Sequence, residues 1–341
     1  MPAEQRFCTD RVLPKDMGRP QRMRSIRNGS TRAIIDFRKL WPNGSTLQVR
    51  FMGGTPAQHD LVKEQAGWWT AHANLNFDFN NASDADIRIS FDSNDGAWSY
   101  VGTDASQQPP NVATMNLGFT DGGTPAHEFG HAIGLHHEHQ NPDGGIQWNR
   151  DEVIRSLSGP PNNWSVQQIE FNVLKKYSVD QIRGTEFDPD SIMLYFFPIS
   201  WTLNGVQTKD NAVLSRTDKD FIASALAYPG RGGTDPNPVE LPIIDRSGTS
   251  ANIGAAGEED LFTFTVKHEG RYTIETGGET DLVMKLFGPN SKTQLIAEDD
   301  DGGEGRNSRI AAHLMVGTYV VQVRHYNINS GTGNYSISVT K

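Results

Sequence analysis

The pattern of apolar and polar positions changes character twice along the chain. Over residues 1–32 apolar positions are scattered, and Pro14, Gly18, Pro20 and Gly29 interrupt them. This predicts an extended leader. From Trp41 the pattern becomes mixed. Residues 46–52 alternate as a strand, and residues 57–74 read as a helix with Leu61, Gln65 and Trp68 or Trp69 on related faces. Residues 75–80, 85–92 and 112–119 read as further strands, and DGAWSYVGT (95–103) as a Gly-bounded loop or short strand. Val166, Ile169, Val173 and Leu174 fall at helical spacing within 162–178, after an Asn cap candidate. Residues 214–230 read as a closing helix, capped by Ser215 or Thr217 and ended by Tyr228-Pro229-Gly230. Beyond a Gly- and Pro-rich linker at 230–242, the period becomes that of short strands: 260–266, 271–276, 281–287, 309–315, 318–326 and 334–340. The expected class is thus an α+β domain with a twisted mixed sheet, followed by an all-β sandwich. The expected boundaries are a leader at 1–32, a first domain at 33–229, the linker at 230–242 and a second domain at 243–341.

Length agrees with two domains, since 341 residues are long for one core. No apolar run approaches the roughly 20 residues that span a bilayer. The net charge of −10 argues against a nucleic-acid binder. The charge is uneven: residues 1–32 carry +5, residues 33–240 carry −11 and residues 241–341 carry −4. A basic leader ahead of an acidic body reads either as a solvated tail or as a segment that docks. The single cysteine, Cys8, excludes an intramolecular disulfide. That suits a cytosolic protein or an exported bacterial one that does without disulfides. The start MPAEQRFC lacks the apolar core of a secretory signal, so export would use a segment outside this sequence or another route.

The chemistry concentrates in TPAHEFGHAIGLHHEH (124–139). Thr124 is an N-cap candidate, Pro125 suits the first helical position, and Gly134 can turn the chain out of the helix. His127 and His131 are four apart, so on a helix they share one face and can bind one zinc ion. Glu128 can reach a water on that zinc without binding the metal, which is the arrangement of a metalloprotease general base. The turn at Gly134 brings His137 back as a third ligand, leaving coordination open as in catalytic zinc sites. His136 and His139 read as neighbours of a ligand rather than as ligands. Met193 is expected on the floor beneath these histidines, with the Tyr195 phenol directed towards the metal. A bare H-E-x-x-H also occurs in helices that merely solvate or bury their histidines. The added Gly and third His at fixed spacing separate the two readings.

With the later SIMLY (191–195), these residues fill the metzincin pattern H-E-x-x-H-x-x-G-x-x-H plus Met-turn. Glu138 directly after the third His, SIMLY, DGAWSYVG and AIIDFRKLW (33–41) together resemble the astacins, over about residues 33–229. The resemblance implies a zinc endopeptidase acting on proteins or peptides. It implies His127, His131 and His137 on one catalytic zinc and Glu128 as general base. Tyr195 would be a further zinc ligand in the active form, swinging to stabilise the oxyanion. Glu138 would be the buried carboxylate that meets a newly made amino terminus. Leu194 stands where many astacins have His, and Ala97 where many have Cys. Many astacins favour an acidic residue after the cleaved bond, but no basic residue that would impose this is identifiable. The strand NVATMNLGF (111–119) could pair with an extended peptide by β-addition. DLFTFTV, GRYTIET, TDLVMKLFGP, LIAEDDDGG, GTYVVQV and GTGNYSISV resemble, in order, the bacterial pre-peptidase C-terminal domain over about 243–341.

RFCTD (6–10) resembles the metal-blocking part of astacin pro-segments, in which an Asp often takes this role. A Cys8 thiolate is a strong zinc ligand and would displace water; Asp10 is the competing ligand. The expectation is a latent zymogen cut near Arg32–Ala33 by an activating protease, and a secreted monomer. Asp299, Asp300 and Asp301 lie in a Gly-rich loop and read either as a solvated turn or as a Ca²⁺ site. Two other classes compete. One is a binding or adhesion protein that uses the β-domain beside a degenerate catalytic domain; intact zinc and base positions oppose it. The other is a non-proteolytic zinc hydrolase, opposed by the Met-turn and the peptide-pairing strand.

Overall fold

A computed structural model describes residues 7–11, 35, 37–141, 144–176, 187–224, 226–229, 238–243, 248–328 and 330–341, without the side chains of Asp10 and Phe37. Arg32, Ala33, most of the leader and residues 230–237 of the expected linker lie outside the described residues. The chain divides into two units. One comprises Met1–Leu40, Leu47–Ala73 and Phe77–Ile222, and the other Trp41–Thr46, Asn74–Asn76 and Ala223–Lys341.

The first unit is built on a six-stranded mixed sheet. Its strands are β1 (Cys8–Arg11), β2 (Thr46–Phe51), β3 (Asn76–Asp78), β4 (Ile87–Ser90), β5 (Ala97–Tyr100) and β6 (Met115–Leu117), in spatial order β1-β5-β6-β4-β2-β3. β2, β4 and β6 run parallel; β5 is antiparallel to β6, and β1 pairs with β5 in parallel. Ile87, Arg88 and Ile89 are all buried, so β4 lacks the alternation of a half-exposed strand. The Arg88 guanidinium donates to the carbonyls of Ala85, Gln108 and Val112, which satisfies its buried donors.

Helix α1 (Pro56–Thr70) opens with a capping box between Thr55 and Gln58 and buries Val62, Gln65, Ala66 and Trp69. That face carries helix α2 (Thr124–Ala132). Trp69 donates its indole N–H to Ala126 O at 2.7 Å. Gln65 accepts from Ala126 N at 3.1 Å and donates to Gly122 O at 2.8 Å, so it satisfies an open N–H in the first turn of α2. The N-cap of α2 is Gly123, not Thr124. The Thr124 hydroxyl instead donates to Asp121 O at 2.7 Å, because the preceding turn offers it that carbonyl. Gly134 has φ +106°, and the helix ends there as expected.

Helix α3 (Arg150–Leu157) is capped by Asn149. The next helix, α4 (Val166–Ile169), starts at Ser165 with a capping box to Gln168 rather than at the Asn pair, and passes into a π turn at Glu170–Leu174. The closing helix α5 (Arg216–Ile222) is shorter than its pattern suggests and is capped by Ser215, whose hydroxyl accepts from Asp218 N at 2.9 Å.

The second unit is all β. Its strands are β7 (Val239–Glu240), β8 (Thr249–Ile253), β9 (Glu259–Val266), β10 (Gly270–Gly277), β11 (Leu282–Phe287), β12 (Leu295–Asp299), β13 (Arg309–Leu314), β14 (Gly317–His325) and β15 (Gly333–Thr340). They form sheets β13-β10-β15-β8 and β12-β11-β14-β9-β7 around a core that includes Phe262, Phe264, Ile274, Met284, Val321 and Val339. This is the α+β unit plus all-β sandwich expected from the periodicity. The strands the pattern missed, β7, β8 and β12, are short edge strands with largely uncovered side chains.

Candidate metal centre and cleft

The i, i+4 pair on α2 and the return at Gly134 gather three imidazoles. His131 Nε2 and His137 Nε2 lie 3.1 Å apart. Nδ1 of His127 is 2.7 Å from Ile192 O, and Nδ1 of His131 is 2.8 Å from Leu135 O. Each carbonyl fixes the tautomer with the proton on Nδ1, so both Nε2 lone pairs point inward. Cys8 joins this group: its Sγ is 2.9 Å from His127 Nε2 and 3.5 Å from His137 Nε2. The four donor atoms of Cys8, His127, His131 and His137 lie within 4.8 Å of one another. Among the described residues no other such group of His, Cys, Asp or Glu forms.

The donor set fits zinc, with three nitrogens and one sulfur in buried surroundings. Burial, and then the neighbouring His131, His139, His127 and His136, hold His137 well below the ordinary imidazole value. This favours the neutral imidazole, the form that binds metal. Glu128 follows His127 and is 0% exposed. Beneath α2, Met193 fills the space at Gly130, where an added Cβ would overlap its sulfur.

Tyr195 is buried, and its hydroxyl donates to the backbone carbonyl of Cys8. Its ring stacks on His139 at 4.4 Å and 30°, and His139 Nε2 is 2.8 Å from Asn172 O. Both His136 and His139 are buried. The motif alone does not reveal that His139 forms a platform under Tyr195; its place close after His137 is the one signal.

Glu138 lies behind the Met-turn. Its N–H donates to Met193 O at 2.9 Å, and its carboxylate accepts from Asp188 N and Asn141 Nδ2, each at 3.0 Å. Burial pushes its carboxyl up to about 8. Asp218, which no motif in the sequence singles out, holds the same turn. It accepts from Ser191 Oγ at 2.8 Å, Ile192 N at 2.9 Å and Ser215 N at 2.9 Å, and burial raises its carboxyl.

Residues 8–11 of the leader pair with β5 as β1, with Cys8 opposite Ala97 and Arg11 opposite Tyr100. Phe7 is buried among Trp164, Tyr195 and Trp201. The Asp10 side chain lies outside the described parts. In the second unit Asp299 accepts from Gly302 N at 2.8 Å and Arg309 N at 2.7 Å, which ties it to its own turn.

Residues 33–217 match the peptidase family described as Astacin. Blastula protease 10 of Paracentrotus lividus is 29% identical over 203 residues, 57% of this chain and 32% of that protein. Zinc metalloproteinase nas-30 of Caenorhabditis elegans is 28% identical over 172 residues, 49% of this chain and 21% of that protein. The chain thus spans between a fifth and a third of the length of these two curated relatives. Among solved structures, myroilysin is 39% identical with a TM-score of 0.54, covering 56% of this chain and 96% of that one.

Proposed function

The chain belongs to the astacin family of peptidases, and from that premise we propose that it is a secreted zinc endopeptidase, held latent by its own leader through Cys8. The observation that carries this reading is the position of Cys8 Sγ beside His127 Nε2 and His137 Nε2 while Tyr195 donates to the Cys8 carbonyl. His127, His131 and His137 would hold the zinc in both states, with Cys8 as the fourth ligand in latency. When bound, zinc supplies the Lewis acidity that activates water for attack on a peptide carbonyl.

Glu128 takes the proton of the attacking water and returns it to the leaving amine. Burial keeps its carboxylate from competing solvent. Tyr195 donates to the oxygen that gains charge, as its hydroxyl now donates to a leader carbonyl. Met193 and Glu138 keep the Met-turn against α2. Cutting near Arg32–Ala33 by another protease would release the leader, and the new amino group would reach Glu138. The strand at 111–119 expected to take a peptide is β6, which is already paired with β4 on one side and β5 on the other. Substrates, proteins or peptides, would instead lie along β5, where β1 lies now. The leader at 1–32, the catalytic domain at 33–229 and the β-domain from 243 are the working divisions of this proposal.

The test compares the full-length chain with Cys8→Ala and Glu128→Ala on one peptide substrate, with zinc content measured in each. Cys8→Ala should gain activity at least tenfold while Glu128→Ala keeps about one zinc and stays inactive after proteolytic activation. A Glu128→Ala chain with near-normal turnover overturns the mechanism; an intact wild type as active as its trimmed form overturns latency.

A further inference from the structure

The pocket beside the metal ligands is shaped for one large apolar side chain. Phe7, directly before Cys8, is 8% exposed. Its ring stacks on Trp201 at 5.2 Å and 27°, lies 5.4 Å from Tyr195, and meets the edge of Trp164 at 6.3 Å. The walls are held by contacts that do not involve the leader. Trp201 donates its indole N–H to Ser156 Oγ at 3.2 Å and lies parallel to Phe197, and Tyr195 rests on His139. The Phe7 backbone is fixed as well, since its N–H donates to Asn162 Oδ1 at 3.2 Å.

The backbone position explains why this pocket matters for substrates. Tyr195 donates to the carbonyl of Cys8, the same donation it would make to the oxygen of a bond under attack. Cys8 therefore marks the place of the scissile residue, and the Phe7 pocket is one residue away. Resting on the endopeptidase reading, we propose that the pocket walled by Trp164, Tyr195 and Trp201 selects substrates with an aromatic or large aliphatic residue immediately beside the cleaved bond. An acidic side chain there would lose its hydration against three aromatic rings. The leader's Phe7 uses the same selectivity to hold Cys8 on the metal ligands.

Two measurements test this. In the zinc-loaded full-length chain, Phe7 is replaced by Trp, Leu, Ala or Asp, and the rate at which 5,5′-dithiobis(2-nitrobenzoate) labels Cys8 is recorded. Trp and Leu should label within about threefold of wild type, and Ala and Asp about 30-fold faster or more, the loss expected for one buried large side chain. The folded full-length chain, trimmed of its leader by limited proteolysis, is then profiled on a peptide library. Phe, Tyr, Trp, Leu and Met should be enriched at one position flanking the cut, and the enrichment should fall about tenfold in Trp201→Leu or Trp164→Leu. Labelling that ignores residue 7 overturns the pocket. Cleavage that ignores the flanking residue, or favours Asp or Glu there, overturns the substrate role while the endopeptidase reading stands. An apolar order at position 7 with no cleavage of any peptide overturns the endopeptidase reading and the substrate role with it, leaving a pocket that serves only the leader.

Discussion

The sulfur of Met193 occupies the space where a Cβ at Gly130 would sit. The same Cβ would come within 3.1 Å of the Trp69 ring, which is itself fixed by its bond to Ala126 O. Gly130 therefore lets α2 close onto the Met-turn with no intervening side chain. Gly130→Ala should cost about 1–3 kcal/mol by overpacking, measured by urea denaturation of the zinc-loaded chain, and should weaken zinc retention. Met193→Ala in the same chain should restore part of the loss, because the two changes share one space. A Gly130→Ala chain as stable as wild type would show that the Met-turn is free to retreat.

Asp218 joins α5 to the Met-turn through three donors, Ser191 Oγ, Ile192 N and Ser215 N. Asn keeps the shape but has only one acceptor oxygen, so at least one buried N–H or O–H loses its partner. Asp218→Asn should cost about 1–3 kcal/mol. The sign of its pH dependence is also fixed. Burial raises the folded carboxyl above its unfolded value, so the native state binds this proton more tightly. This group's contribution is greatest below the ordinary carboxylate range and is lost as pH rises through the raised value. Subtracting the stability curve of Asp218→Asn from that of wild type should leave a difference that declines with rising pH through this window. A flat difference sinks the assignment.

The second unit contains a deeply buried ion pair between Arg324 and Glu259. The Arg324 guanidinium donates through Nε and Nη2 to Glu259, whose other oxygen accepts from Asn43 N at 2.9 Å. The two side chains are only 4% and 7% exposed. Removing one partner strands the other in low dielectric. Glu259→Ala should therefore destabilise this unit by about 3–5 kcal/mol, seen in calorimetry as a lowered β-unit transition. The double variant Glu259→Ala, Arg324→Met should recover much of the loss. Equal destabilisation in both would show that packing rather than charge dominates.

What the sequence made legible follows from how local each signal is. His127, His131 and Gly134 lie within one helix and its turn, so their spacing alone gives their geometry. The strands of the sandwich were visible where one face is fully buried, as in β10, and missed in β12, an edge strand whose inward residues are only half-buried. Asp218 and His139 escaped because their roles are set by residues far along the chain: Ser191 and Ile192 for one, Tyr195 and Asn172 for the other. Phe7 lay in plain view in RFCTD, yet its partners Trp164 and Trp201 come from segments over 150 positions away, and no periodicity joins them.

Arg11 provides the last hold on the leader. Its guanidinium lies 3.4 Å from the centre of the Trp98 ring and 3.4 Å from Asp95, which also accepts the Trp98 indole N–H at 2.7 Å. The ion pair is half open to solvent, with side chains 40% and 51% exposed, so it contributes little. The stacked guanidinium contributes about 0.5–1 kcal/mol. Together they predict that Arg11→Ala labels at Cys8 roughly fivefold faster than wild type in the full-length chain. Ionic strength separates the two parts, because salt screens the exposed pair and leaves the stack nearly intact. Most of the effect should persist at high salt, and Arg11→Lys, which keeps the charge but not the flat stacking surface, should recover only a minor share. Complete recovery by Lys, with loss of the effect in salt, would assign the hold to Asp95 instead; no effect of Arg11→Ala would show that Phe7 and Cys8 hold the strand without it.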